Sequence, residues 1–179
     1  YGVTKKEETA LTKIMGNAVA TVEQMTAYIK EKNPDVAQSV VDMIPLYLLE
    51  GKAEGVRGDI AFAQSCLETG NFGFSGSAVT LDQNNFCGMG VTSNGMKGNP
   101  FDTPQLGIRA QVQHLKCYAS TDKLNGDRVD PRWGEWLRGK APYVEWLSIP
   151  NNPYGTGWAG SATYAEVIKG IMENINKYN

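Results

Sequence analysis

The chain has 179 residues, 41% hydrophobic and 20% charged, with a formal net charge of −2 and a pI near 5.5. That length and composition suit one soluble globular domain with a sizeable core, and such a domain is expected to be a monomer. The lack of a basic cluster argues against nucleic acid or an anionic membrane surface as main partner, and no apolar run reaches the roughly 18 residues that cross a bilayer.

The sequence starts at Tyr1 rather than Met, so it reads as an excised domain or processed product, and the lack of a signal peptide says nothing about secretion. Residues 1–10 are polar and read as a leader or linker, leaving residues 1–179 as a single domain in all. Thr21 with Gln24 forms a capping box ahead of "VEQMTAYIKEKN", which predicts a helix stopped by Asn33-Pro34. "SVVDMIPLYLLEGKAEG" is a second apolar-periodic helix with Pro45 as a kink or restart. "GDIAFAQSCLETG" is a short third helix closed by Gly70.

From residue 71 the chain turns rich in Gly and Asn, and Asn94-Gly95 is a hairpin signal. Residues 71–103 therefore read as a loop and β-hairpin lobe. Thr103-Pro104 caps a helix whose stripe is Ile108, Val112, Leu115 and Ala119. Asp130-Pro131 predicts a short helix through Leu137. Thr163 with Glu166 predicts a capping box for the last helix, with stripe Tyr164, Val167, Ile171, Ile175 and Tyr178. The expected fold class is mostly α, in an α+β arrangement: helices and a small β-hairpin lobe flanking a groove for an extended ligand.

The sequence lacks HExxH, a P-loop, GxSxG and a dinucleotide GxGxxG, so no metal or organic cofactor is expected. Cys66, Cys87 and Cys117 form no CxxC and read as small buried hydrophobes. The single histidine, His114, reads as a satisfied structural residue. Carboxylates remain. Glu68 follows Gln64 by four residues on one helix face, bordered by Ile60, Ala63 and Leu67. Partial desolvation and the negative end of the helix dipole both disfavour its ionisation, which suits a general acid. The residue pattern alone leaves open the alternative of a surface glutamate at a frayed end.

"AFAQSCLETGNF", then "NNFCGMG", a short hairpin, a helix and "GWAGSATYAEVI" together resemble the N-acetylglucosaminidases of glycoside hydrolase family 73. The resemblance covers roughly residues 20 to 176. It implies a lysozyme-like fold, peptidoglycan glycan strands as substrate, and action outside the cell or in the wall. The family's Gln-Ala-x-x-Glu-[Ser/Thr]-Gly segment corresponds to "QSCLETG", which gives Glu68 the catalytic acid role. Its Asn-x-Phe-Gly-Ile segment corresponds to Asn85, Phe86, Cys87, Gly88 and Met89, and its Tyr-Ala pair to Tyr164 and Ala165.

Related enzymes carry a second carboxylate on the hairpin; residues 90–101 contain none. Asp82 and Asp102 flank it, and Asp102 reads first as a residue favouring the following helix N-terminus. Without a second carboxylate, the substrate's own 2-acetamido group can attack the anomeric carbon, with Tyr164 orienting it or stabilising charge. Catalysis is thus expected from Glu68 and Tyr164, with Asp102 the lesser candidate. Substrate binding is expected from Gln64, Phe72, Asn85, Phe86 and Trp158. Trp158, in "YGTGWAGS", is the expected groove aromatic among Trp133, Trp136, Trp146 and Trp158, and Phe74 joins Phe72 as a wall residue. The competing readings are a lytic transglycosylase or muramidase on the same scaffold, or a glycan-binding module without turnover.

Overall fold

The computed structural model describes residues 10–91 and 97–179. Five α-helices order the described residues: α1 (Val22–Lys32), α2 (Gln38–Glu54), α3 (Gly58–Glu68), α4 (Pro104–Ala119) and α5 (Tyr164–Ile175). Short 3₁₀ turns occupy Leu81–Gln83, Glu135–Leu137, Val144–Leu147 and Ile149–Asn151. No helix among the described residues is long and apolar enough to cross a membrane.

Helix α3 is the centre of the molecule. Every residue from Gly58 to Cys66 is buried, so it is enclosed on all sides rather than along one stripe. α2, α4 and α5 pack around it. The Tyr47 and Phe62 rings meet edge to face at 5.4 Å, and Phe62 stacks on Phe72 at 5.9 Å. All four residues of the α4 stripe are buried in the same core.

Local signals place the helix starts. Thr21 and Gln24 form the capping box of α1, and Thr103 caps α4 with Pro104 in its first turn. α2 runs unbroken through Pro45, which sits on its exposed face. Buried ion pairs then tie distant segments together. Glu54 on α2 holds Lys116 on α4 at 2.9 Å and accepts the backbone N–H groups of Asn125 and Gly126. Asp59 accepts from the Val19 and Ala20 N–H groups and pairs with Arg57 at 2.8 Å.

Four expectations need correction. The small β-hairpin lobe is not seen: among the described residues only isolated bridges occur, Lys13 with Tyr143, Met15 with Val56 and Ser148 with Ala159. The Asn94-Gly95 turn itself lies outside the described residues. Its flanks are joined by Asn99 N–H donating to the Met89 carbonyl, but Gly90 and Gly98 take positive φ and turn the chain out of an extended run. Asp130-Pro131 opens no α-helix: the chain turns there, with the Asp130 carboxylate accepting the Arg132 N–H and pairing with His114, and within the expected span only the 3₁₀ turn Glu135–Leu137 follows. Thr163 makes no side-chain cap to α5. The buried face of α5 is Tyr164, Ala165, Ile168, Met172 and Ile175; Val167 is exposed. Of the expected stripe, Tyr164 and Ile175 are buried and Ile171 and Tyr178 pack against the core, so only Val167 departs from it; the face widens toward Ala165, Ile168 and Met172, with Tyr164 and Ala165 bonded to Gln64 of α3 and to Ser148.

Candidate active site

Glu68 is the last residue of α3 and is half-buried. Burial pushes its carboxyl from 4.5 up to about 7, against a smaller opposing pull from the Tyr164 hydroxyl. Among the described residues no other carboxylate contributes to that shift.

A buried hydrogen-bond chain fixes Tyr164. Tyr47 Oη donates to Ser65 Oγ at 2.8 Å, and Ser65 Oγ donates to Gln111 Oε1 at 3.0 Å. Gln111 Nε2 donates to Gln64 Oε1 at 2.9 Å, so the Gln64 amide must turn its Nε2 outward, where it donates to Tyr164 Oη at 2.9 Å. The Tyr164 oxygen is thus an acceptor on one side, and its own proton is left for Glu68. The carboxyl therefore sits at the end of a chain that begins in the core and has one polarity throughout.

Residues 85–91 form the opposite wall. Asn85 is fully buried and organises this loop: its Nδ2 donates to the carbonyls of Met89 and Asn99, and its Oδ1 accepts the Cys87 and Met89 N–H groups. Cys87 and Met89 pack on Ala110 of α4. Gly88, at φ +65, lies so close to the acid that a Cβ there would stand 2.8 Å from Glu68 Oε2. Only glycine permits both that backbone conformation and that approach.

Gly88 also lines a hollow of about 210 Å³, roughly seven waters' worth. Its other sides are Met89 to Val91, His114 and Tyr118 of α4, Arg132, Gly157 and Trp158. His114 Nδ1 pairs with Asp130 at 2.7 Å, and its ring meets Trp158 edge to face at 4.8 Å. Tyr118 Oη donates to the Gly157 carbonyl at 2.8 Å, which anchors the Trp158 loop. A larger hollow of about 530 Å³ opens among residues 16–23, Leu48, Lys52, Gly55, Val56 and Gly58, with no expected site residue in its lining.

The structure thus brings Glu68, Tyr164 and Gln64 together and sets Trp158 on the neighbouring hollow. Asn85 and Phe86 are buried beneath the loop and shape it from below. Phe72, 4% exposed, packs against Phe62 and Phe86 in the core; like Gln64, Asn85 and Phe86, which are as buried, it is not among the residues lining the hollow at Gly88, where Trp158 is. Asp102 is exposed ahead of the α4 cap and makes no hydrogen bond or ion pair among the described residues. Asp82 belongs to a 3₁₀ turn beside a different hollow lined by Met43, Phe86 and Pro104. All three cysteines are free and buried.

Sequence reasoning named Gly88 only as part of the Asn85–Met89 match and read His114 as a satisfied structural residue, which its pairing with Asp130 agrees with; it did not bring His114, Tyr118 and Arg132 together around one hollow. His114 and Tyr118 stand four residues apart on one face of a recognisable helix, a signal that was available. It also missed the wound loop after Glu68, where Asn71, Phe72 and Phe74 all take φ between 55 and 59. Left-handed non-glycine residues cost about 1–2 kcal/mol each and persist where packing enforces them; the buried Phe72 ring does so here.

A family profile described as mannosyl-glycoprotein endo-beta-N-acetylglucosaminidase matches residues 44–177, from the middle of α2 to beyond α5. The chain belongs to this glucosaminidase family. It is a glycoside hydrolase of the endo-β-N-acetylglucosaminidase type. An uncharacterized protein of Borreliella burgdorferi is 38% identical over 160 residues, covering 88% of this chain and 74% of that protein. No solved structure matches. The matched span of the glucosaminidase includes Glu68, the loop at Gly88, the hollow and Tyr164.

Proposed function

We propose that this enzyme cleaves peptidoglycan glycan strands at the β-1,4 bond on the reducing side of N-acetylglucosamine, outside the cell or in its wall, with Glu68 as general acid. The observation that carries this reading is a carboxyl raised to about 7 by burial, beside an open hollow, with no second carboxylate among the described residues acting on it. A group of that pKa is half-protonated at neutral pH and can still deliver its proton.

The single acid favours the substrate-assisted route. Glu68 gives its proton to the glycosidic oxygen as the C1–O bond breaks. The substrate's 2-acetamido oxygen bonds to C1 and closes a ring. The Glu68 carboxylate then takes a proton from water while the water oxygen bonds to C1 and the acetamido group is released. The outcome is retention. Tyr164 contributes where charge develops: its hydrogen bond to a neutral carboxyl becomes charge-assisted once Glu68 has lost its proton, so it is stronger in the transition state than before it.

A lone acid also fits a lytic transglycosylase, in which the bond-breaking step ends in an anhydro sugar. Mass spectrometry of digested peptidoglycan separates the two. Reducing-end N-acetylglucosamine is expected. Reducing-end or 1,6-anhydro N-acetylmuramic acid would overturn the assignment. In a zymogram, the wild type clears and Glu68→Gln does not; clearing by both would remove Glu68 from the mechanism.

A further inference from the structure

We infer that the hollow beside Gly88 is a subsite for a carboxylate-bearing sugar next to the N-acetylglucosamine whose bond is cut, with Arg132 as its specificity-determining residue. The inference rests on the peptidoglycan reading above and adds to it the part of the substrate that is recognised.

Three features of the hollow combine. Trp158, half-buried and held by His114 and Tyr118, supplies an aromatic wall of the kind that packs on the apolar face of a sugar ring. His114 is anchored through Nδ1 to the buried Asp130 carboxylate, and its Nε2 makes no hydrogen bond among the described residues. The ring is therefore fixed in orientation with one nitrogen free for a ligand. Arg132 stands exposed on the rim, and its guanidinium makes no ion pair or hydrogen bond among the described residues.

Elsewhere in the protein, the cations that line buried or half-buried sites are committed: Arg57 to Asp59, Arg109 to Glu50, Lys116 to Glu54. No carboxylate is among the described residues lining the hollow; Asp130 lies behind His114, with its oxygens taken by His114 and by the Arg132 backbone N–H, and Glu68 adjoins the hollow at Gly88. The Arg132 side chain is thus a free planar cation at the mouth of an aromatic sugar-sized hollow, and a carboxylate is the group that a guanidinium fork matches. On a cell-wall strand that carboxylate has two sources: the lactyl group of a bare muramic acid, or the peptide attached to it.

Binding to the inactive Glu68→Gln protein, followed by tryptophan fluorescence and calorimetry, tests this without turnover. The probes are a neutral N-acetylglucosamine tetramer, an alternating N-acetylglucosamine–N-acetylmuramic acid tetramer without peptide, and the same tetramer with its peptides. Adding Arg132→Ala is expected to weaken binding of the acidic probes about ten-fold, the scale of one charge-assisted hydrogen bond, and that of the neutral probe less than two-fold. Loss on the bare tetramer identifies the lactyl group; loss confined to the peptide-bearing one identifies the peptide. Arg132→Lys should restore part of the acidic preference, and raised salt should reduce it. Equal loss on all three probes, or no loss on either acidic one, overturns the inference. If wild-type protein clears cell walls but Arg132→Ala binds all probes normally, only this inference fails. If the Arg132 effect appears but the digest shows muramic acid ends, the carboxylate subsite stands, and the cleavage assignment fails together with the subsite's place beside a cut N-acetylglucosamine bond.

Discussion

Replacing Glu68 by glutamine should stabilise the protein in a way that depends on pH. Burial raises the carboxyl from 4.5 to about 7. Between those values the folded protein holds a proton that the unfolded chain lacks, so stability falls as pH rises through that window. Below 4.5 both states are protonated and Glu68 costs nothing. Above 7 the folded state carries a desolvated carboxylate, and at about 1.4 kcal/mol per pH unit the cost reaches about 3 kcal/mol. Glutamine keeps the shape and can still accept from Tyr164, but it carries no charge to desolvate. Urea or thermal unfolding of wild type and Glu68→Gln at pH 4, 6 and 8 measures the difference. At pH 4 the two should coincide. At pH 8 the variant should be more stable by about 3 kcal/mol, a rise in Tm of roughly 6–12 °C for a chain of this size. All other titrating groups are shared, so the difference isolates this one. A gap that stays constant with pH, or that widens toward acid, would refute the desolvation argument.

The wild-type rate should fall on the alkaline side of pH 7 as the Glu68 proton is lost, read as a single limb in kcat/KM. Tyr164→Phe removes the hydroxyl that favours the carboxylate, so that limb should move to higher pH while the maximal rate drops at least about ten-fold; a limb moving to lower pH would count against the assigned hydrogen bond. Gly88→Ala forces a Cβ into a left-handed residue and against Glu68 Oε2, so activity should drop more than about ten-fold while unfolding costs only about 1–2 kcal/mol; unchanged activity would place the acid elsewhere. Lys116→Ala leaves the buried Glu54 carboxylate without its cation and should cost about 3–5 kcal/mol of stability by urea unfolding. KM should stay as in the wild type, since neither residue lines the hollow.

The features legible in the chain were those set by a few neighbouring residues. Thr21 with Gln24, and Thr103 with Pro104, mark helix starts because caps are satisfied within one turn. The apolar stripe of α4 was readable because its whole face is buried. The placement of Glu68 at a helix end with apolar neighbours already pointed to a raised pKa. Other local signals were overridden by distant partners. Asp130-Pro131 has the form of a helix start, but in the fold one Asp130 oxygen anchors His114, sixteen residues away, and the chain there runs as a turn. The α5 face widens beyond its stripe to Ala165, bonded to Ser148, and Tyr164 bonds to Gln64 of α3; no periodicity within α5 encodes those partners.

The candidate site divides in the same way. Glu68 as the candidate acid was readable in the segment around it and in that segment's likeness to a family. How strongly that acid holds its proton depends on the loop at Gly88, twenty residues on, and on Tyr164, ninety-six residues on. The hollow draws on residues from 88 to 158 and exists only where α4 and the Trp158 loop meet. Caps and stripes are short-range effects of hydrogen bonding and side-chain period. Desolvation is fixed by whatever lies opposite a group in space, and for Glu68 that is a glycine and a tyrosine far along the chain.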